Sequence, residues 1–276
     1  MIVMKRALLL VLMLGYLAPL SGCAPQTPTA QELVDKTIVA EANVRSYKCD
    51  MSMKMSVNQT RAPSLGLSVL SIDSTGAVDL TRQEMQIKLT LDTGIIRIPE
   101  TEILLDSEWI YARDRVGNWA KFKLDRDMWT IFNQAAVQSQ LLKTPLASET
   151  VVQEQVDGVK CYMIEMKPTA EQMSSWLSQQ WSGIGKIGPE FKLDRVKVLD
   201  VTVKFWVAES TSLLAKAEIG VEIAQTEDAG NATPQTVTAK VNMTVSFSDY
   251  NKPVPGIPQE ARDAPERLSG GLLPVR

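Results

Sequence analysis

The segment YKCDMSMKMSV, residues 47–57, alternates between apolar and polar side chains without a break. Successive side chains of a β-strand point to opposite faces of its sheet, so this pattern predicts a strand with one buried and one solvent-facing side. A single wet face is typical of an antiparallel sheet. The predicted buried side consists of Tyr47, Cys49, Met51, Met53, Met55 and Val57.

Three other segments repeat the alternation. They are EMQIKLTLD (84–92), VTVKFWV (201–207) and TVTAKVNMTVSFSD (236–249). Turn residues lie between apolar runs at DSTG (73–76), DTG (92–94), RVGN (115–118) and DG (157–158), and the last of these is typical of a two-residue hairpin. Together the runs and turns predict about eleven strands in one long, curved antiparallel sheet.

Three segments have helical spacing instead. They are TAQELVDKTIVAEANVRS (29–46), DRDMWTIFNQAAVQSQLL (125–142) and TAEQMSSWLSQQW (169–181). In the first, Thr29 and Glu32 have the spacing of a capping box, which predicts that the helix begins there. The sequence therefore predicts an α+β chain, mainly β, in which a few helices accompany one sheet.

The N-terminus has the pattern of an export signal. Lys5 and Arg6 precede an apolar run over residues 7–20, which is shorter than the roughly 20 residues that a transmembrane helix needs. The run ends in Leu20-Ser21-Gly22-Cys23, which resembles the bacterial lipobox. This resemblance implies that residues 1–22 are a signal peptide and that Cys23 receives the lipid. The alternative is a secreted protein with a chance cysteine.

The remaining chain divides into three predicted parts. Residues 23–29 form a lipidated flexible tether, residues 30–250 one domain, and residues 251–276 a tail rich in proline and glycine. Removal of Lys5 and Arg6 takes the formal charge from −3 to −5. This mildly acidic balance offers no basic surface for nucleic acid.

The chain contains no histidine, which removes the commonest general base and metal ligand. No C-x-x-C pair or phosphate-binding loop is present either. We therefore expect no enzyme activity, no cofactor and no metal site. After Cys23, the two remaining cysteines are Cys49 and Cys161. The outside of the cell permits a Cys49–Cys161 disulfide, and the alternative is two buried thiols.

Several segments resemble one known family. SEWIYARDRVGNWAKFKLD (107–125), VDGVKCYMIEMKP (156–168) and YNKPVPGIPQEA (250–261) are similar in pattern to parts of the LolA/LolB and LppX/LprG-like superfamily of bacterial lipid and lipoprotein carriers. The resemblance implies an unclosed half-barrel sheet whose concave face is covered by helices and holds acyl chains. No residue, Arg82 and Arg97 included, matches the cavity arginine of LolA, so lipid binding is favoured over lipoprotein sorting.

The predicted ligand surface is rich in methionine, a flexible side chain that adapts to irregular apolar shapes. The alternative is an ordinary core that uses methionine. The candidate lining residues are Met51, Met53, Met55, Met85, Ile87, Leu89, Trp129, Phe132, Met173 and Trp176.

Two functions are consistent with these features. The first is a membrane-anchored, extracytoplasmic lipoprotein that binds a lipid or acyl chain as a carrier or chaperone. The second is an RseB-like sensor or adaptor lipoprotein that binds a partner protein. Either protein would lie in the cell envelope, on the outer leaflet of the cytoplasmic membrane or at an outer membrane.

Overall fold

One unclosed antiparallel sheet dominates the structure. The computed structural model describes residues 27–58, 69–113, 117–124, 129, 133–143, 149–184, 196–227 and 235–267. Within them the sheet has eleven strands in the order β6-β5-β4-β3-β2-β1-β11-β10-β9-β8-β7, so β6 and β7 are its two edges. The predicted mainly β, curved half-barrel is confirmed. The strands are β1 (Ser46–Asn58), β2 (Val69–Asp79), β3 (Glu84–Asp92), β4 (Arg97–Leu105), β5 (Trp109–Arg113), β6 (Trp119–Lys123), β7 (Glu149–Val156), β8 (Val159–Met166), β9 (Val196–Ala208), β10 (Leu214–Glu227) and β11 (Gln235–Ser248).

The described helices are α1 (Ala30–Glu41), α2 (Gln134–Leu142), α3 (Ala170–Ile184) and the short α4 (Gln259–Arg262). The predicted start of α1 is confirmed, because Thr29 and Glu32 form both hydrogen bonds of a capping box. The Glu32 amide donates to Thr29 Oγ1 at 3.2 Å, and the Thr29 amide donates to the Glu32 carboxylate at 3.0 Å. These bonds satisfy two amides that a helix would otherwise leave unpaired.

The main core lies on one face of the sheet, which we call the inner face. Side chains from α1, α2 and α3 form one buried cluster there with inward-facing residues of the strands. Leu33 of α1, Leu141 of α2 and Met173 of α3 are all nearly inaccessible to solvent. The helices therefore cover the apolar half of the alternating pattern, as the family resemblance implied.

The opposite, outer face is mostly polar, and one of its two apolar clusters lies where the C-terminal segment crosses it. Residues 251–267, which we call the strap, lie across the outer face from β1 to β6. Arg82 donates to the Val254 carbonyl at 2.9 Å. The Lys121 amide donates to the Pro265 carbonyl at 3.1 Å and the Lys121 carbonyl accepts from the Arg267 amide at 2.9 Å, which joins the strap to β6. The strap buries Ile257, Ala261 and Ala264 against Leu104, Tyr111 and Trp119.

Two of the predicted turns are confirmed and one is wrong. Asp157-Gly158 forms the β7–β8 hairpin with positive φ at both residues, and Gly94 has a φ of 77° in the β3–β4 turn. The DSTG segment, in contrast, lies inside β2. Its glycine serves packing instead, since a Cβ on Gly76 would approach Cys49 Sγ to 3.2 Å.

The predicted Cys49–Cys161 disulfide is wrong, because both thiols are free and buried. Cys49 belongs to the inner cluster, whereas Cys161 lies in a small outer-face cluster with Met163, Trp206 and Ala208. The sheet itself separates the two sulfurs, so the predicted alternative of two buried thiols holds. Burial raises the pKa of Cys49 to about 12 and also raises that of Cys161.

We expect both thiols to be unreactive in the folded protein. Thiolate is the reactive form, and a pKa near 12 leaves almost none of it at pH 8. A chain that begins at Ala24 retains every described residue and has only these two cysteines. Its reaction with a thiol-specific chromogenic disulfide should be slow before unfolding and should yield two equivalents in denaturant. If the denatured protein gave fewer than two equivalents of free thiol in the absence of a reductant, the Cys49–Cys161 disulfide would be present.

Candidate functional site

The inner face is tightly covered at one end and half-open at the other. The upper end is where β1 begins at Ser46 and β2 ends at Asp79, and the lower end is where β1 ends at Asn58. Tyr47 and Val78, at the upper end, are fully buried. Toward the lower end of β1–β4 most of the inward-facing apolar residues, with buried Met55 as an exception, are only partly buried. These residues, which we call the inner patch, are Met51, Met53, Leu70, Ile72, Leu89, Leu91 and Ile98.

Strand register makes the inner patch continuous. Met53 lies opposite Ile72, Ile72 opposite Leu91, and Leu91 opposite Ile98. This row crosses four neighbouring strands, which spans about 15 Å at the usual strand spacing. A second row joins Met51 to Leu89 through Ser74 of β2. The patch is therefore a surface broad enough for an extended apolar ligand.

The patch is uncharged. By the same register, the described inner-facing positions of β1–β4 hold no carboxylate, lysine or arginine. The charged residues of these strands point outward, where for example Lys88 lies 3.7 Å from Glu100. Burying an unpaired charge under an apolar ligand costs free energy. A surface without charges therefore favours apolar ligands.

The structure divides the predicted lining residues of the strands into two groups. Met51, Met53 and Leu89 are partly buried and lie in the inner patch, where Met51 and Leu89 also pack against the edge of the main core. Met85 and Ile87 are buried in the main core, and Met55 is also buried, with 8% of its surface exposed. Only the first group offers apolar surface to a ligand without rearrangement.

The predicted helical residues divide similarly. Met173 is fully buried, while Trp129 and Trp176 are partly buried and pack against the main core. Phe132 lies outside the described residues. The indole Nε1 of Trp176 is buried and has no hydrogen-bond partner among the residues that the structure describes. A buried donor without a partner costs free energy, so this N–H would gain from an acceptor on a ligand.

Sequence reasoning missed four members of the patch, namely Leu70, Ile72, Leu91 and Ile98. The first two alternate with Ser71 and Asp73 in the pattern that identified β1, but the misassigned turn at 73–76 cut that run short. Ile98 is followed by Pro99 at an irregular point of the β3–β4 pairing, which hides the period.

A polar cluster fixes the upper end. Tyr47 donates from its hydroxyl to Asn133 Oδ1 at 2.8 Å and accepts from the Ala135 amide at 3.3 Å, so it ties β1 to the beginning of α2. Ser139 of α2 donates to the carboxylate of Glu41 at the end of α1. Burial raises the pKa of Glu41 above its usual range, and it also raises that of the Tyr47 hydroxyl.

Two polar clefts lie on the outer face, away from the patch. One, of about 270 Å³, surrounds Gly220, and the other, of about 380 Å³, is lined mainly by outward-facing residues such as Asp50, Asp73 and Lys88. Across the part of the chain that the structure describes, no three acidic, cysteine or histidine residues are grouped to hold a metal ion.

One family model matches this chain. It covers residues 29–266, from the cap of α1 to the strap, and is described as DUF6612, a family of unknown function. The chain belongs to the DUF6612 family. No curated protein matches it.

Solved structures show more distant similarity to this DUF6612 protein. Lipoprotein LppX of Mycobacterium tuberculosis is 14% identical with a TM-score of 0.44, and the match covers 82% of this chain and 97% of LppX. A DUF1329 family protein from Desulfovibrio piger is 11% identical with a TM-score of 0.24, covering 82% and 95% of the two chains. At these TM-scores the similarities carry no information about ligand or activity.

Within the described residues, no helix is long and apolar enough to cross a bilayer.

We expect Tyr47→Phe to loosen α2. The change leaves the Ala135 amide and Asn133 without their shared partner, and an unmet buried hydrogen bond costs about 1–3 kcal/mol. Denaturant unfolding should show a loss in this range, and hydrogen exchange should rise at the first turn of α2. Tyr250→Phe is the matched control, since that hydroxyl donates to the Leu214 carbonyl at 2.7 Å and, within the described residues, forms no hydrogen bond to α2. Equal exchange in both variants would contradict the assigned role.

Proposed function

We propose that this protein is a membrane-anchored, extracytoplasmic lipoprotein that binds a lipid or acyl chain on the inner face of its half-barrel, as a carrier or chaperone. The observation that carries the proposal is the inner patch, a neutral apolar surface that remains half-open between four strands. A folded domain gains stability by covering apolar surface, at about 25 cal/mol per Å². A patch left open on the concave side of a sheet is thus a surface that a ligand can cover.

The chemistry of the patch supports an acyl ligand. Methionine side chains at Met51 and Met53 adapt to a flexible chain, and the neighbouring positions are leucine or isoleucine. The buried indole N–H of Trp176, on the helix that covers part of the inner face, has no acceptor within the described residues, and the ester or carboxyl oxygen of a ligand that reached it would supply one. The patch lacks the charged groups that would hold a polar ligand there.

The anchoring part of the proposal rests on the Leu20-Ser21-Gly22-Cys23 segment. A diacylglyceryl group on Cys23 would hold the protein at a membrane, because each buried CH₂ contributes about 0.8 kcal/mol and more than one chain is attached. The following segment, Ala24–Thr29, is rich in proline and threonine and would separate the domain from the bilayer.

Met53→Trp tests the ligand surface. In a filled core the larger ring would cost about 1–3 kcal/mol of folding free energy, whereas in the half-open patch it should be tolerated. We therefore expect a melting temperature near that of the wild type and weaker uptake of a fluorescent fatty acid, because the indole occupies ligand volume. Lys54→Trp is the matched control, since Lys54 is the next residue and points to the outer face.

The two outcomes that would contradict the proposal are distinct. A large loss of stability in Met53→Trp, together with no fatty-acid uptake by the wild type, would mean that the patch is core and would favour the adaptor function. Equal loss of uptake in Met53→Trp and Lys54→Trp would place the ligand elsewhere.

Cys23→Ala tests the anchor. Without the thiol no lipid can be attached, so the variant should leave the membrane fraction or accumulate with its signal peptide uncut. Cell fractionation and the mass of the N-terminal peptide report these outcomes. A variant that fractionates and migrates as the wild type does would show that Cys23 carries no anchor. Cys161→Ala, which removes a buried thiol of the folded domain, controls for the loss of a cysteine as such.

A further inference from the structure

We propose that the β3–β4 turn, Thr93–Ile96, is a docking tip that inserts into the surface of a lipid bilayer, so that an acyl chain can pass between the membrane and the inner patch. This inference rests on the proposed lipid-binding function and adds the partner surface and the route. It is carried by the exposure, rigidity and position of this turn.

The turn exposes two adjacent large apolar side chains. Ile95 has 70% of its surface exposed and Ile96 has 52%. A single exposed apolar residue needs no explanation, but two neighbouring isoleucines at the end of a hairpin place their apolar surface in water together. Transfer of an isoleucine side chain from water to an apolar medium is favourable, so this pair has the character of a membrane-inserting element.

Hydrogen bonds hold the turn in one conformation. The Gly94 amide donates to Asp92 Oδ1 at 2.8 Å, and the Ile96 amide donates to Thr93 Oγ1 at 2.9 Å. The Thr93 amide donates to the Ile96 carbonyl at 3.0 Å, and Gly94 supplies the positive φ that the turn requires. The two isoleucines are therefore presented on a fixed support, and binding need not order the turn first.

The position of the turn connects it to the inner patch. Leu91 and Ile98, which form one end of the patch row, are paired across the last residues of β3 and the first of β4. Only the Asp92–Arg97 pair separates them from the turn. Apolar side chains thus continue from the patch to Ile95 and Ile96 along one hairpin, at the lower end where the inner face is least covered.

A basic group lies beside the apolar tip. Arg97 is exposed, and within the described residues its guanidinium has no hydrogen-bond or ion-pair partner, although Asp92 lies opposite it in the ladder. A free arginine next to exposed aliphatic residues is suited to phosphate headgroups at the bilayer surface. A bilayer is therefore the occupant that the chemistry of this tip favours.

The test uses the chain that begins at Ala24, which lacks Cys23 and the export signal but retains every described contact. Its binding to vesicles of phosphatidylcholine with phosphatidylglycerol is measured by flotation, and the transfer of a fluorescent fatty acid from those vesicles is measured by stopped flow. We expect the wild type to bind these vesicles. The double variant Ile95→Ser/Ile96→Ser should bind them at least about tenfold more weakly and should accept the fatty acid more slowly.

Val39→Ser is the matched control, because Val39 on α1 has 68% of its surface exposed but lies outside the tip. It should bind vesicles as the wild type does. Equilibrium uptake of free fatty acid from solution should be the same in all three proteins, since the tip does not line the patch. This readout separates failure of the tip from failure of the proposed function.

Three outcomes would overturn the docking role. In the first, the wild type would take up free fatty acid but would not bind vesicles. In the second, the double variant would bind vesicles as the wild type does. In the third, the double variant would have a different oligomeric state without lipid, which would make the tip a contact between copies of the protein. Tip-dependent vesicle binding without any fatty-acid uptake would instead overturn the proposed function and leave the tip as a membrane contact.

Discussion

The structure depends on one constraint: the inner face of an eleven-stranded sheet is apolar, and water must be excluded from it. Closing the sheet into a barrel would achieve this, but β6 and β7 do not pair. Helices have to cover the face instead. α1, α2 and α3 bury their apolar sides there, and the cluster they form with the strands includes fully buried residues such as Phe205 and Val245.

The helices cover the inner face unevenly. Their polar contacts explain at which end of the sheet they are held in place. The hydrogen bond from Tyr47 to Asn133 joins the start of α2 to the upper end of the sheet, and the bond from Ser139 to Glu41 joins α2 to α1. Hydrogen bonds are strong in a low-dielectric interior, so these contacts fix the helices at one place. At the lower end of β1–β4 the described apolar residues have less cover, and this difference creates the inner patch.

The outer face meets a different requirement. It is mostly hydrophilic, so the strap needs specific contacts to stay on it. Arg82 holds the Val254 carbonyl, and Arg262 pairs with the buried carboxylate of Glu84. The strap also pairs with β6 through Lys121, which partly covers an edge that could otherwise associate with another chain.

The sequence alone determined the strands with an unbroken alternating pattern, because only a one-sided strand satisfies that period. The residue that starts α1, the hairpin at Asp157-Gly158 and the faces of β1 and β3 all followed from local rules. The prediction from sequence failed at Asp73–Gly76, where turn-forming residues lie inside a strand. Gly76 is there because the Cys49 side chain on the neighbouring strand leaves little room for a Cβ. The tertiary structure decided whether Cys49 could reach Cys161. It also decided which methionines belong to the core and which border the patch. Burial depends on what the helices cover, and that is set by contacts between residues distant in sequence, such as Tyr47 with Asn133. Local periodicity identifies the apolar face of a strand but not the element that packs on it.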